Sequence, residues 1–74
     1  MSPDLLRKAV KRIPFRPFII HLAGGRTIPV RSPEFVVLPK EGRMVVVQGI
    51  DGSAHFIDLL LVTDLGVPHT SILD

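Results

Sequence analysis

Cysteine, tryptophan and tyrosine are all missing from this 74-residue sequence. Without a thiol there can be no disulfide framework, no thiolate zinc or iron–sulfur site and no cysteine nucleophile. Aromatic residues are scarce as well, four phenylalanines and nothing else. Long apolar runs are also absent: stretches such as Phe35–Pro39 and Leu59–Val62 fall far short of the ~20 residues that span a bilayer. The N-terminal segment is charged and amphipathic, with no apolar stretch ahead of a small-residue cleavage site. No signal peptide is therefore read, and a cytoplasmic protein without a membrane partner is expected. Apolar content is nonetheless high, 46% of residues with a mean hydropathy of +0.39, which argues against a disordered chain. The length allows one domain, residues 1–74, of marginal stability, because a chain this short buries only about 60% of its unfolded surface.

The net charge of +2 conceals a polarity. Residues 1–31 carry seven Lys/Arg against Asp4 alone, a balance of +6, whereas residues 32–74 carry two Lys/Arg against six Asp/Glu, a balance of −4. Such asymmetry points to an anionic partner. It is equally compatible with one basic end of a small domain, or with docking on the acidic end of a second copy.

Ser2-Pro3-Asp4 reads as a helix start, with a capping hydroxyl, a proline where no N–H is needed and an acid at the positive end of the dipole. Leu6, Val10 and Ile13 form the apolar stripe of a helix over about 3–13, and Arg7, Lys8, Lys11 and Arg12 occupy its remaining surface. Pro14 disfavours the helical conformation in Ile13 and sets the expected end. From Phe18 onward the pattern is that of strands cut by turns. Phe18, Ile20 and Leu22 alternate with Ile19 and His21, Gly24-Gly25 offers a two-residue turn, and Ile28 and Val30 point inward on the return. Pro29 lacks a ladder donor and pushes its strand to an edge or a bulge. Ser32-Pro33 marks a corner, Pro39-Lys40-Glu41-Gly42 a turn, and Asp51-Gly52 the strongest hairpin signal. The strands extend to about residue 67, and residues 69–74 read as a frayed tail.

A helix, five short strands and hairpin loops without a crossover helix predict a mainly β fold. The expected architecture is an N-terminal helix capping a five-stranded, strongly bent antiparallel small barrel. An open curled sheet with the helix across one face is the alternative. The expected core is Leu6, Val10, Ile13, Phe18, Ile20, Leu22, Ile28, Val30, Phe35, Val46, Phe56 and Val62. Met44-Val45-Val46-Val47 is apolar on both faces, so one face needs cover from the helix or from another subunit. A homo-oligomer, dimer or ring, is expected on that ground.

Two resemblances bear on these expectations. The run Pro14-Phe15-Arg16-Pro17-Phe18-Ile19-Ile20-His21-Leu22, then Gly25-Arg26, then Val30-Arg31-Ser32-Pro33-Glu34, resembles a group of short uncharacterised bacterial proteins sharing this opening and a β-rich remainder. It implies no activity. The order of helix, glycine turn, Glu34-Phe35-Val36-Val37-Leu38 and late His55-Phe56-Ile57 is similar to Sm-like and SH3-like small barrels. That likeness implies a helix before five bent strands, rings closed through the last strands, and RNA as ligand. Ala54 stands where the Sm-like pattern has the Lys of a Lys-His pair, and its base-contacting Asp/Asn loop is not recognisable here.

Catalytic chemistry finds little support in the pattern. Ser32, Ser53 and Thr63 are candidate nucleophiles, with His21 or His55 as base and Asp58 or Asp64 as orienting acid, but none sits in a nucleophile elbow. His21, His55 and His69 lack paired metal-ligand spacing, and Gly24-Gly25-Arg26 leads into a strand where a phosphate cradle would open a helix. Neither enzyme activity, nor a metal, nor a cofactor is expected. Phe15 and Phe18 among Lys11, Arg12 and Arg16 resemble what single-stranded nucleic acid requires, cations for phosphates and rings for bases; the same rings would equally anchor the helix. The predicted nucleic-acid-binding residues are Arg7, Lys8, Lys11, Arg12 and Arg16, with Arg26 and Arg31 as a second patch. RNA or another single-stranded nucleic acid is the expected partner, and a protein-interaction module is the alternative.

Overall fold

A computed structural model describes residues 2–38, 40–49 and 51–67. Helix α1 spans Pro3–Lys11, and six strands follow: β1 Phe18–Leu22, β2 Thr27–Val30, β3 Val36–Val37, β4 Met44–Gln48, β5 Ala54–Asp58 and β6 Val62–Gly66. Single 3-10 turns at Pro33–Phe35 and Leu59–Leu61 separate β2 from β3 and β5 from β6. The strands form two separate antiparallel three-stranded sheets, ordered β2-β1-β6 and β3-β4-β5. The mainly β, antiparallel reading holds. The five-stranded closed barrel does not, because the two sheets share no ladder.

The physical reason lies at the two 3-10 turns. Asp58 accepts a hydrogen bond from the Leu60 N–H at 2.9 Å, which caps the Leu59–Leu61 turn and ends β5. The chain then re-enters as β6 on the other sheet, beside β1. At the first corner, Pro33 opens the turn and the Phe35 N–H donates to the Ser32 carbonyl. Each corner moves the chain from one sheet to the other without a continuous, bent strand.

The core is Leu6, Val10, Phe18, Ile20, Leu22, Ile28, Val30, Val36, Val45, Val47, Ile57, Leu59 and Val62. In β1 and β2 the expected alternation is observed, with Phe18, Ile20 and Leu22 facing Ile28 and Val30 across a register that pairs Ile20 with Ile28. β2 lies at a sheet edge, as Pro29 requires. The Leu22 N–H donates to the Arg26 carbonyl, so in this register Ile28 and Val30 share the ladder and the Pro29 nitrogen faces outward, where no donor is needed.

Four expected core positions are elsewhere. The helix stops at Lys11 and Arg12 is already extended (φ −62°, ψ 138°), which takes Ile13 off the apolar stripe and leaves it 93% exposed. Phe35 sits in a 3-10 turn and is half-buried. In β4 and β5 the phase is the reverse of that expected: Val45, Val47 and Ile57 point inward, while Val46 is half-buried and Phe56 is exposed. Met44–Val47 is apolar on both faces, and in β5 each face mixes polar with apolar residues, His55 with Ile57 and Asp58 with Phe56, so the phase of both is set by pairing and not by their own residues.

Both hairpin loops also differ from a two-residue turn. The first spans residues 23–25, closed by Leu22 and Arg26, with Gly24 and Gly25 both at positive φ. The second is closed by the Gly49 N–H donating to the Ser53 carbonyl, with Gly52 at φ +88°. A third residue in the loop places the left-handed glycine last. Pro39 of the expected turn, His69 and the rest of the expected tail at 69–74 lie outside the described residues. Among those described, no helix is long and apolar enough to cross a membrane.

Candidate nucleic-acid interface

The basic surface of α1 is a consequence of how the helix is held. The Ser2 Oγ accepts from the Asp4 N–H at 3.2 Å, Pro3 occupies the first turn, and Leu6 and Val10 are its buried residues. With that stripe turned into the core, Arg7, Lys8 and Lys11 lie on the opposite side and, with Asp4, line one shallow cavity of about 350 Å³. Arg7 Nη1 pairs with Asp4 Oδ1 at 3.1 Å. Lys8 and Lys11 have no ion-pair partner among the described residues.

Two forces act on this arrangement. Lys8 and Lys11 stand in the last turn, where the helix dipole favours cations by ~0.3–1 kcal/mol each. Arg7 and Lys11 are like charges four residues apart on the helix, which costs ~0.2–0.5 kcal/mol; Arg12 lies beyond its end. The dipole favours Lys8 and Lys11, and Asp4 pairs with Arg7.

Arg12 and Arg16 are exposed along the connector between α1 and β1. Phe15 and Phe18, which flank Arg16, pack on each other with ring centroids 6.0 Å apart and planes tilted by 55°. Phe18 is buried in the core and Phe15 packs against it. These rings therefore anchor the connector to the β1–β2 sheet, and Phe18 offers no face to a base.

Arg26 and Arg31 do not form one patch. They flank opposite ends of β2, five residues apart and hence separated by roughly 16 Å along an extended strand. Arg26 belongs to the β1–β2 loop. Arg31 lies where two cavities adjoin, one of about 390 Å³ lined by Pro17, Phe18 and Val30 and one of about 270 Å³ lined by Phe35, Gln48, Ser53 and His55, with Pro29 common to both. Nothing in the local sequence pattern singles out Phe35 or Gln48. The second cavity exists only because the β2 edge and the β4–β5 loop, distant in the chain, come together.

That cavity gathers a serine, a histidine and an aspartate, Ser53, His55 and Asp51. The hydrogen bonds run the wrong way for nucleophilic catalysis. Asp51 Oδ1 accepts both the Ser53 N–H at 3.0 Å and the Ser53 hydroxyl at 2.6 Å. A triad needs the hydroxyl on the imidazole and the imidazole on the carboxylate. The arrangement is a turn brace. The hydrogen bond from the Ser53 side chain, with that from its backbone, holds the Asp51 carboxyl below its ordinary value. Since the folded-state value is the lower one, the brace contributes stability above the ordinary carboxylate range and loses it as pH falls through the lowered value. The Ser53→Ala variant is expected to return the Asp51 carboxyl upward toward the ordinary range in a carbon-detected NMR titration. An unchanged Asp51 titration in that variant refutes the brace.

No family model, curated protein or solved structure matches the chain. The functional reading therefore rests on the arrangement of residues alone. Among the described residues no three His, Asp or Glu groups are gathered as metal ligands, and His21 and His55 lie on different sheets.

Proposed function

We propose that this protein binds single-stranded RNA, or another single-stranded nucleic acid, through the basic face of α1 and without marked sequence specificity. The observation that carries the reading is the outward clustering of Arg7, Lys8 and Lys11 around one cavity while Leu6 and Val10 fix the helix to the core. Arg12 and Arg16 extend the same charge along the connector. Cations on a rigid element neutralise phosphates, and phosphate contacts carry no direct sequence information. The reading is of a binding module that performs no chemistry on its ligand.

The deciding experiment is a fluorescence titration of labelled oligouridylate and oligoadenylate at low and at moderate salt. Binding to both at low salt, weakening steeply as salt rises, is the expected result. No binding at low salt overturns the reading and leaves the interaction-module alternative. A strong preference for one homopolymer overturns the claim of weak specificity.

A further inference from the structure

We infer that the free edge of β5 is a seam at which a second copy of this chain adds, antiparallel about a two-fold axis through Phe56. The inference is independent of the nucleic-acid reading. It follows from the hydrogen-bond parity of the β4–β5 ladder. The Gly49 N–H donates to the Ser53 carbonyl and the Leu59 N–H to the Arg43 carbonyl, each at 2.8 Å. Both bonds lie on the register that pairs Val45 with Ile57 and Val47 with His55. Odd-numbered residues of β5 therefore bond to β4, and the backbone N–H and C=O of Ala54 and Phe56 face away from it. β5 is the outer strand of its sheet, and no hydrogen bond to those outward groups is formed among the described residues. An edge of this kind is a template for another strand.

Compared with β5, the other edges are protected. β2 presents Pro29 outward, flanked by Arg26 and Arg31; β3 is two residues long. β6 carries an exposed carboxylate, Asp64, that has no ion-pair partner among the described residues, and such a charge disfavours the addition of a strand. β5 carries no lysine, arginine or proline. Its single carboxylate, Asp58, is paired with Arg43 at 3.3 Å. Two-fold pairing centred on Phe56 sets Asp58 opposite the partner's Ala54, so no like charges meet. Axes through His55 or Ile57 keep the same hydrogen-bond parity but set Phe56 opposite the partner's Ala54 or Asp58, so it is the side chains that select the Phe56 axis.

The side chains agree with the backbone. On the outer face of the sheet Val37, Val46 and Phe56 are direct cross-strand neighbours, with Val37 64% and Phe56 71% exposed. Adding the second copy continues this row as Phe56 beside the partner's Phe56, an aromatic cross-strand pair of the kind that stabilises sheets. The result is a six-stranded sheet with the two basic helices on separate protomers. An interface of one strand pair is small, well below the ~1,200–2,000 Å² of a stable complex, so the dimer forms in a concentration-dependent equilibrium.

The lack of cysteine makes the test clean. Phe56→Cys places two thiols on residues about 5.5 Å apart at Cα in a hydrogen-bonded pair, inside the range a disulfide spans. Val37→Cys puts its two thiols five strands apart, roughly 24 Å. Mild oxidation at high micromolar concentration is expected to give a covalent species of twice 8.2 kDa from Phe56→Cys, abolished in denaturant, and none from Val37→Cys. In sedimentation the unmodified chain is expected to rise from 8.2 kDa toward twice that mass with concentration, and Phe56→Lys to stay at the lower mass with an unchanged circular dichroism spectrum. An unmodified chain that remains at 8.2 kDa up to millimolar concentration overturns the inference. So do equal cross-linking of both cysteine variants, which indicates face-to-face packing, and a mass above the dimer, which indicates a head-to-tail ring.

Discussion

Ile57→Lys is expected to leave the chain unfolded, and Phe56→Lys, one residue away, to leave it folded. Ile57 is 4% exposed and Phe56 is 71% exposed, although both residue types are ordinarily core residues. Replacing Ile57 forfeits ~1.5–3 kcal/mol of apolar burial and adds the cost of an unpaired ammonium inside the core, several kcal/mol more. The total stability available to 74 residues is roughly 4–11 kcal/mol. The sum of the two losses is comparable with the whole. At position 56 the lysine points to water beside Asp58, and the change is expected to stay under about 1 kcal/mol. Thermal melts followed by circular dichroism, at a dilution where protomers are separate, decide the matter. Two variants of equal stability would show that the phase of β5 is not the one described.

Replacing Lys8, Lys11 and Arg12 together by Gln is expected to flatten the salt dependence of RNA binding while leaving the fold intact. Glutamine matches lysine and arginine closely in helix propensity, and none of the three residues is in the core. With Arg7, Lys8, Lys11, Arg12 and Arg16 each neutralising one phosphate, the logarithmic salt slope on a single strand is about −3.5, so affinity falls roughly 100-fold between 50 and 200 mM salt. With two cations left the slope is about −1.4 and the fall only about 7-fold over the same range. A triple variant that binds like the parent chain, with the parent's slope, places the phosphate contacts elsewhere on the protein. Arg31 between its two cavities would then be the next position to replace.

The elements that were legible in the sequence share one property: their information is local. Ser2, Pro3 and Asp4 announce the helix start because capping and the dipole act within one turn, and the structure places α1 from Pro3. Its end was legible only to within two residues. Pro14 restricts Ile13, yet the extended backbone already begins at Arg12. Phe18, Ile20 and Leu22 alternate with the half-polar Ile19-His21 face, and that alternation specifies the phase of β1 without reference to any neighbour. Pro29 names its own edge position through the donor it lacks. For the candidate site, the helix cations followed from the stripe formed by Leu6 and Val10. The separation of Arg26 from Arg31, and the meeting of Arg31 with Phe35, Gln48 and His55, depend on contacts between distant segments and left no mark in the local pattern.

By itself, then, the sequence determined the mainly β antiparallel class, the amphipathic helix with its basic outer surface, the glycine-bearing hairpins and the inward set of β1 and β2. The tertiary structure alone decided three things. It divided the strands into two sheets, because the Asp58 cap and the Ser32-Pro33 corner end strands that a closed barrel would need to continue. It turned Val45, Val47 and Ile57 inward, since neither an all-apolar Met44–Val47 nor a β5 with polar and apolar residues on both faces has a periodicity to choose with, and each takes its phase from the ladder it joins. And it left Phe56 at an open edge, because which strand lies outermost is a property of the sheet order and not of any strand's own residues.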